Sequence, residues 1–438
     1  MKIKKYSQKY YLEAFLSILL ISSKMLSMES VAAPQNSSNI KLQEIAQINF
    51  NDPDYIPWQL YHNDKSRNRL IVIVPSNSSS KKDMVKCYDY NGNYQNDLPI
   101  ELSGTTSISS MDGNENLIVI ADSNNGRAVV WDLTANKVYA ICDTKTGKNV
   151  NGAAGLGKKG DDFWLVCDDG SSNFDFGQPL SLFIWNLSDT TKPVYSCVGH
   201  KAPIQWGGIQ KPKGASWFVS NDLSYEIRTW DFKGNCLAVI DCGNINQIRF
   251  AYPADNIDDV PQIVVANNDI RFYLYSDGVV YETFASNEIQ VNDVDVSSDK
   301  KTMVSGDSSN RAILWDIYNN KIKATFNGSM QSINGVKIIP ELGVVITASG
   351  GVSGPTEDNA VRVWDLNGNL LDTSSNDPAI SSTIHNLGNN IIIVSSEGFL
   401  RFFKLVSSED ESKSKNKLKA EVLKPLVPAS KSGYCELM

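Results

Sequence analysis

An aromatic residue that follows a short aliphatic run and precedes Asp or Asn recurs along the whole chain. Five copies are centred on tryptophan and a sixth on tyrosine: Trp131-Asp132, Trp185-Asn186, Trp230-Asp231, Trp315-Asp316, Trp364-Asp365 and Tyr88-Asp89. Two further copies, at Tyr273 and Phe403, keep the aromatic residue and lose the acidic one. Successive markers lie 39 to 54 residues apart. A unit of this length cannot bury its apolar face alone and must stack on copies of itself.

Two other features accompany the markers. A short apolar run precedes each one, at residues 70–74, 117–120, 163–166, 217–219, 263–265, 303–304, 344–346 and 391–394. Such runs are typical of strands buried on both faces. Three markers are followed by tight-turn phrases: Asn91-Gly92-Asn93, Lys233-Gly234-Asn235 and Asn367-Gly368-Asn369. Glycine supplies the positive φ of a hairpin, so each repeat predicts a strand b, a marker strand c and a returning strand d.

These residues resemble the Trp-Asp (WD) repeat β-propeller family over roughly residues 41–406. The resemblance implies an all-β fold, a single closed β-propeller of four-stranded blades. Eight repeats favour eight blades, and seven remain possible. Either residues 41–46 or residues 420–423 could supply the outer strand that closes the ring.

One repeat is more complete than the others, because Gly199-His200 stands 30 residues before Trp230. In the family such a histidine joins a structural hydrogen-bond network. The resemblance implies that His200, Ser220, Asp222 and Trp230 form it here. Since the Gly-His pair occurs in this repeat alone, we expect the other blades to depend on apolar packing.

The first 33 residues differ sharply from the rest of the chain. Four lysines precede an apolar stretch over residues 14–21, and small residues follow at 30–33. This order is typical of a secretory signal peptide, with cleavage favoured after Ala32. The stretch is too short for a stable membrane span, although an uncleaved segment stays open. We therefore expect an exported protein, periplasmic or extracellular, with a signal peptide at 1–33, a linker at 34–40, the propeller at 41–406 and a polar, disordered tail at 407–438.

The net charge argues against a nucleic-acid partner. The chain carries −8 at pH 7, and residues 1–32 hold five lysines and two glutamates, so their removal takes the charge to −11. Nucleic-acid phosphates require a basic surface. The seven cysteines are irregularly spaced and odd in number, which favours small buried core residues over a disulfide framework.

No motif reaches the standard of an active site. Residues 152–159 match a phosphate-binding loop except at the last position, where Lys159 replaces the hydroxyl that ligates magnesium. We interpret this segment as an inter-strand loop. The only histidines are His62, His200 and His385; no nucleophile elbow, Cys-x-x-Cys pair or His-Glu-x-x-His motif accompanies them. We expect no catalytic residue, no metal and no cofactor.

Loop length suggests where a partner binds. The b–c turns and the d–a connections emerge on one face of a propeller, and loops on a rigid scaffold are frequent recognition sites. Two b–c connections are unusually long, at 168–179 and 350–358. We hypothesise that Phe174 and Phe176 are apolar anchors, with Asp175, Glu357 and Asp358 around them. The alternative is that both phenylalanines pack onto their own blade.

The sequence therefore predicts a monomeric, non-enzymatic interaction scaffold that binds a protein or peptide. Two alternatives stay open. One is a periplasmic enzyme or redox propeller with a ligand in its central channel, and the other is an envelope assembly factor. Fold resemblance alone does not decide among them.

Overall fold

The computed structural model describes residues 40–50, 60–76, 81–169, 180–241, 247–251, 262–266, 270–274, 280–284, 290–299, 301–317, 319–350, 358–374, 381–396 and 399–407. Within these ranges the chain consists of β-strands, turns and three short 3-10 segments at 65–67, 123–125 and 340–342, with no α-helix. The predicted all-β class is confirmed. None of the described residues belongs to a helix that could cross a membrane.

The strands form eight four-stranded antiparallel sheets, in which each strand pairs with the next in the chain. β1 (Ile40–Asn49) comes first in the chain but belongs to the eighth sheet. Sheet 1 contains β2 (Leu60–Asp64), β3 (Arg69–Val74), β4 (Met84–Asp89) and β5 (Tyr94–Asp97). Sheet 2 contains β6 (Thr105–Met111), β7 (Asn114–Asp122), β8 (Arg127–Asp132) and β9 (Lys137–Asp143). Sheet 3 contains β10 (Ala153–Lys159), β11 (Asp162–Asp168), β12 (Leu180–Asn186) and β13 (Tyr195–His200).

The remaining five sheets repeat this arrangement. Sheet 4 contains β14 (Ile204–Gln210), β15 (Trp217–Asp222), β16 (Glu226–Asp231) and β17 (Cys236–Asp241). Sheet 5 contains β18 (Gln247–Ala251), β19 (Gln262–Ala266), β20 (Ile270–Leu274) and β21 (Val280–Phe284). Sheet 6 contains β22 (Val291–Val296), β23 (Thr302–Asp307), β24 (Arg311–Asp316) and β25 (Lys321–Asn327). Sheet 7 contains β26 (Ile333–Ile339), β27 (Val344–Ser349), β28 (Val361–Asp365) and β29 (Leu370–Thr373), and sheet 8 contains β30 (Ser381–Gly388), β31 (Ile391–Ser396) and β32 (Phe399–Ser407).

The eighth sheet joins the two ends of the described chain. β1 pairs antiparallel with β32, with Leu42 opposite Leu405 and Ile48 opposite Leu400. Residues 41–46 thus provide an outer strand for this sheet, as their sequence allowed. The rival segment 420–423 lies outside the described residues.

Apolar clusters join consecutive sheets. Seven such clusters occur among the described residues, and each combines strands of two neighbouring sheets. One of them links sheet 8 to sheet 1 and contains Phe402 and Val72. Trp131, Trp185, Trp230 and Trp364 are fully buried in these junctions. The core therefore lies between sheets, as expected for units that bury their faces on neighbours.

The three tight-turn phrases adopt one geometry. Asp231 Oδ1 accepts the N–H groups of Lys233 and Asn235 at 2.8 and 2.9 Å, and Asp231 Oδ2 accepts the Asn235 side-chain amide at 2.8 Å. Gly234 has φ of 84°, and a Cβ there would lie 2.8 Å from the Ser196 carbonyl oxygen of the preceding sheet. The marker aspartate thus builds the hairpin from strand c to strand d. The equivalent bonds occur after Asp89 and Asp365.

The segment 152–159 is not the inter-strand loop that its sequence suggested. Residues 153–159 form β10, the first strand of sheet 3. The glycines reflect close packing, because a Cβ on Gly155 would lie 2.7 Å from Met111 Cα on β6. The phosphate-loop resemblance therefore comes from strand packing.

Four of the five described cysteines are buried, as predicted for core residues, and one is exposed. Cys87, Cys142, Cys167 and Cys197 are buried and unlinked, whereas Cys236 on β17 is exposed. Burial raises the pKa of Cys87 to about 11 and that of Cys197 to about 12, so both stay protonated thiols near neutral pH. Cys242 and Cys435 lie outside the described residues.

Candidate functional site

The structure brings together the four residues of the implied network at the junction of sheets 3 and 4. His200 ends β13, Ser220 and Asp222 lie on β15, and Trp230 lies on β16. His200 Nδ1 is 2.9 Å from Asp222 Oδ2, and His200 Nε2 is 2.6 Å from Ser220 Oγ. Trp230 donates its indole N–H to the same Ser220 oxygen at 2.7 Å. The network therefore fastens the outer strand of one sheet to the middle of the next.

Electrostatics favour an ionised Asp222. Burial alone would raise its pKa, but hydrogen bonds from His200 and Ser224 outweigh that penalty and lower the pKa below its ordinary value. The carboxylate then accepts the Nδ1 proton of His200, which leaves Nε2 to accept the hydroxyl proton of Ser220. Every polar atom of this buried group has a partner, as burial requires.

The same cluster contains three groups that could in principle ligate a metal. His200, Asp222 and Glu226 place one ligand atom each within 4.8 Å of one another. Arg228 Nε, however, donates to Glu226 Oε1 at 2.5 Å. A guanidinium bound to one of the three ligands opposes a second cation there, so the arrangement supports a structural role.

Gly199 makes room for that guanidinium. A Cβ at this position would lie 2.3 Å from Arg228 Nη1, and Gly199 has φ of 155°. Arg228 lies above the Trp230 ring, 5.9 Å from its centre. The Gly-His pair therefore has two separate functions: the histidine bonds inward to Asp222 and Ser220, and the glycine accommodates Arg228.

The network also fixes the b–c turn of sheet 4. Asp222 Oδ1 accepts the Ser224 N–H at 2.9 Å, the Ser224 hydroxyl at 2.6 Å and the Glu226 N–H at 3.2 Å. The turn presents Leu223 and Tyr225, which are 44% and 40% exposed. Two large apolar side chains are thus displayed on a turn that a buried carboxylate holds rigid.

Tyr225 is also in an unfavourable backbone conformation. Its φ is 65°, in the left-handed region that bulky residues avoid. The corresponding positions of the b–c turns in sheets 2 and 6 hold Gly126 and Asn310, with φ of 64° and 69°. Strain of about 1–3 kcal/mol at an exposed residue is a sign of a functional site. Sequence reasoning missed Tyr225, although its place three residues after Asp222 was a usable signal.

Two other marker tryptophans keep part of the network. Trp315 donates to Ser305 Oγ at 2.9 Å, and Trp364 donates to Thr347 Oγ1 at 3.0 Å. The indole nitrogens of Trp131 and Trp185 are buried and make no hydrogen bond with any described residue. These two sheets therefore depend on packing more heavily than sheet 4 does.

Most of the predicted partner-binding residues are not among the residues that the structure describes. Phe174, Asp175, Phe176 and Glu357 are not among the described residues. Asp358 is, and it contradicts the expectation of a surface group, because it is only 4% exposed. It forms an ion pair with Arg362 and accepts the Met330 N–H at 2.6 Å. A buried, paired carboxylate fixes the base of its loop and is not free to meet a partner.

The two long b–c connections are present as predicted. Eleven residues separate β11 from β12, and eleven separate β27 from β28. The corresponding connections in sheets 2, 4, 5, 6 and 8 have two to four residues. Sheets 3 and 7 therefore differ from most others at the b–c end.

The other two histidines differ in their surroundings. His62, on β2, is buried, and its Nε2 makes no hydrogen bond with any described residue, so it is neither a surface nor a satisfied core histidine. Burial lowers its pKa to about 4 against the attraction of Asp64 and Glu115. His385, on β30, is exposed.

Comparison with known proteins agrees with this geometry. The all-β fold of four-stranded antiparallel sheets fits a β-propeller. Residues 278–316, which include β22 to β24, match the family model "WD domain, G-beta repeat". Over these residues the chain is similar to a WD repeat.

One protein is similar to this chain in sequence and another in structure. The nuclear distribution protein nudF of Aspergillus niger is 22% identical over 217 residues, which cover 44% of this chain and 46% of that protein. The chain thus matches about half the length of this curated relative. The crystal structure of the computationally designed Ika8 protein superimposes with a TM-score of 0.59 at 15% identity, covering 83% of this chain and 99% of Ika8. The second comparison supports the fold alone.

Proposed function

We propose that the chain is an exported, non-enzymatic interaction scaffold whose eight sheets close into a monomeric propeller, and that its b–c face binds a protein or peptide partner. Similarity to a WD repeat over residues 278–316 and to a nuclear distribution protein favours a scaffold for protein interactions. The packing of sheet 8 on sheet 1 supports closure. Loops held on such a disc have a fixed arrangement, which suits recognition.

The observation that carries the proposal is Tyr225. An exposed aromatic side chain on a rigid turn contributes contact area with little loss of conformational entropy on binding. Leu223 lies beside it, and its N–H donates to the Pro203 carbonyl of the d–a connection at 2.8 Å. The b–c turn and the d–a connection therefore share this face, and the long connection that contains Phe174 and Phe176 belongs to the preceding sheet.

Replacing Tyr225 by Asn separates binding from folding. Asn tolerates the left-handed conformation, so the thermal midpoint should stay equal or rise. Capture of partners from the native source by crosslinking and mass spectrometry should fall at least tenfold, and further with Leu223→Ser. Tyr139→Asn is the matched control, because Tyr139 is 47% exposed on β9, away from the turns. Undiminished capture by Tyr225→Asn would show that the b–c face of sheet 4 is not the binding surface.

Export is tested separately. We expect the native protein to be found outside the cytoplasm, with a mature N-terminus that begins close to Ala33. Fractionation followed by N-terminal sequencing measures both. A cytoplasmic protein that retains Met1 would contradict export and leave the scaffold proposal intact.

A further inference from the structure

A cavity of about 410 Å³ lies on the face opposite the b–c turns. It opens where the first strands of sheets 6, 7, 8 and 1 end, so β22, β26, β30 and β2 all contribute to its wall. Its volume falls within the range of about 300–1,000 Å³ typical of small-molecule sites. The cavity is separate from the His200 network and from Tyr225.

Buried aliphatic side chains form one part of the cavity lining, which we call its floor. Leu70, Ile338, Ile384 and Leu387 line it, and each is less than a tenth exposed. An aliphatic group placed there would be removed from water at a gain of about 25 cal/mol per Å². The floor alone favours a ligand with an aliphatic group, but it does not fix the orientation of that ligand.

A fixed ion pair contributes a cation to the wall. Lys337 Nζ is 2.7 Å from Asp295 Oδ1, and Asp295 Oδ2 accepts the Ile338 N–H at 2.9 Å. Both oxygens of Asp295 are therefore engaged within the protein. An ammonium group has three donors, so Lys337, whose side chain is 29% exposed, retains two for a ligand.

The amides of the wall are held in defined orientations. Asn386 Oδ1 accepts the Gly388 N–H at 2.8 Å, which leaves the Nδ2 group of Asn386 as a donor. Asn63 donates to the Leu387 carbonyl at 3.3 Å and accepts the Tyr90 hydroxyl. Lys337 and Asn386 thus form a donor side of the cavity.

Glu341 lies among the lining residues and provides the acceptor. It is exposed, and within the described part of the chain its carboxylate makes no ion pair or hydrogen bond. The lining therefore combines two carboxylates, of which Asp295 is already paired with Lys337, an ammonium group with a neighbouring amide donor, the His385 ring and an apolar floor.

We propose that this cavity binds a small zwitterion, an α-amino acid with an aliphatic side chain. Its carboxylate would contact Lys337 and Asn386, its ammonium group would contact Glu341, and its side chain would cover the floor. Surface ion pairs are weak, so we expect a Kd of about 0.1–1 mM. The site does not depend on the proposed partner-binding face.

Isothermal titration of the purified chain tests the proposal with three probes. L-Leucine carries both charges, isoamylamine carries only the ammonium group and 4-methylpentanoate carries only the carboxylate. We expect leucine to bind at least tenfold more tightly than either half. Equal binding of 4-methylpentanoate would overturn the proposal and indicate a site for carboxylates, such as a peptide C-terminus.

Two variants assign the contacts. Glu341→Gln should weaken leucine and isoamylamine about tenfold and leave 4-methylpentanoate unchanged, and Lys337→Gln should weaken leucine and 4-methylpentanoate alone. Glu115→Gln and Lys301→Gln are matched controls, since both residues are exposed and lie outside the cavity lining. Failure of leucine to bind the wild-type chain, or equal binding by all four variants, would refute the site.

Discussion

Ser220 Oγ accepts the indole N–H of Trp230 at 2.7 Å and lies 2.6 Å from His200 Nε2. Ser220→Ala would leave two buried polar atoms without a partner, at a cost of about 2–4 kcal/mol. Ser305→Ala removes a single bond to Trp315 and should cost about 1–2 kcal/mol. Denaturant unfolding of both variants measures the difference. Equal losses would mean that His200 contributes nothing through Ser220.

Trp131 lacks the hydrogen bond that Trp230 makes, and the register explains why. Trp131 is opposite Ile118 on β7, so Ile120 takes the place that Ser220 has in sheet 4. Ile120→Thr should supply the missing acceptor and destabilise less than Ile120→Val, which removes a methyl group at about 0.5–1.5 kcal/mol. At Ile346, which has no unsatisfied indole nearby, the threonine variant should be the worse of the two. The same order at both positions would contradict this explanation.

His62 should give the protein an acid-sensitive stability. Its pKa in the folded chain is about 4, below the ordinary value of 6.5, so between these values the unfolded chain binds the extra proton. Stability is therefore full above pH 6.5 and declines by about 3 kcal/mol as the pH falls towards 4. His62→Leu should flatten this part of the curve, as measured by denaturant unfolding across the pH range. Asp64, Glu115 and Arg69 are the neighbouring charges, and an unchanged slope in the variant would assign the effect to groups other than His62.

Gly199→Ala should destabilise the chain by about 1–3 kcal/mol, because side chains rarely adopt a φ of 155° and because the new methyl group would also displace the Arg228 guanidinium. Arg228 is a long side chain that can be shortened. The double variant Gly199→Ala with Arg228→Ala should therefore recover part of the loss, and a thermodynamic cycle over the four proteins measures the coupling. Strictly additive effects would show that contact with Arg228 does not cause the loss.

The sequence predicted the repeating fold closely, because each strand and hairpin is specified by residues that are close together in the chain. Marker aromatics, flanking apolar runs and Asx-Gly turns each specify a strand or a hairpin within a few residues, and all eight predicted b strands are present. The network of sheet 4 was implied by the resemblance of the Gly199-His200 repeat to the WD-repeat family. The strand at 153–159 was missed because its glycines are required by close packing against a neighbouring sheet. A local sequence pattern contains no information about that packing. The burial of Asp358 and the cavity beside Lys337 likewise depend on residues that are distant in sequence.

The pairing of β1 with β32 constrains the order in which the chain can be completed. During synthesis, β1 has no partner strand until β32 emerges at least 350 residues later. Until then its apolar side chains and free backbone groups are exposed to other chains, which makes the nascent protein prone to association. A chaperone that shields residues 40–49 until β32 is synthesised would therefore act on this protein at a predictable place.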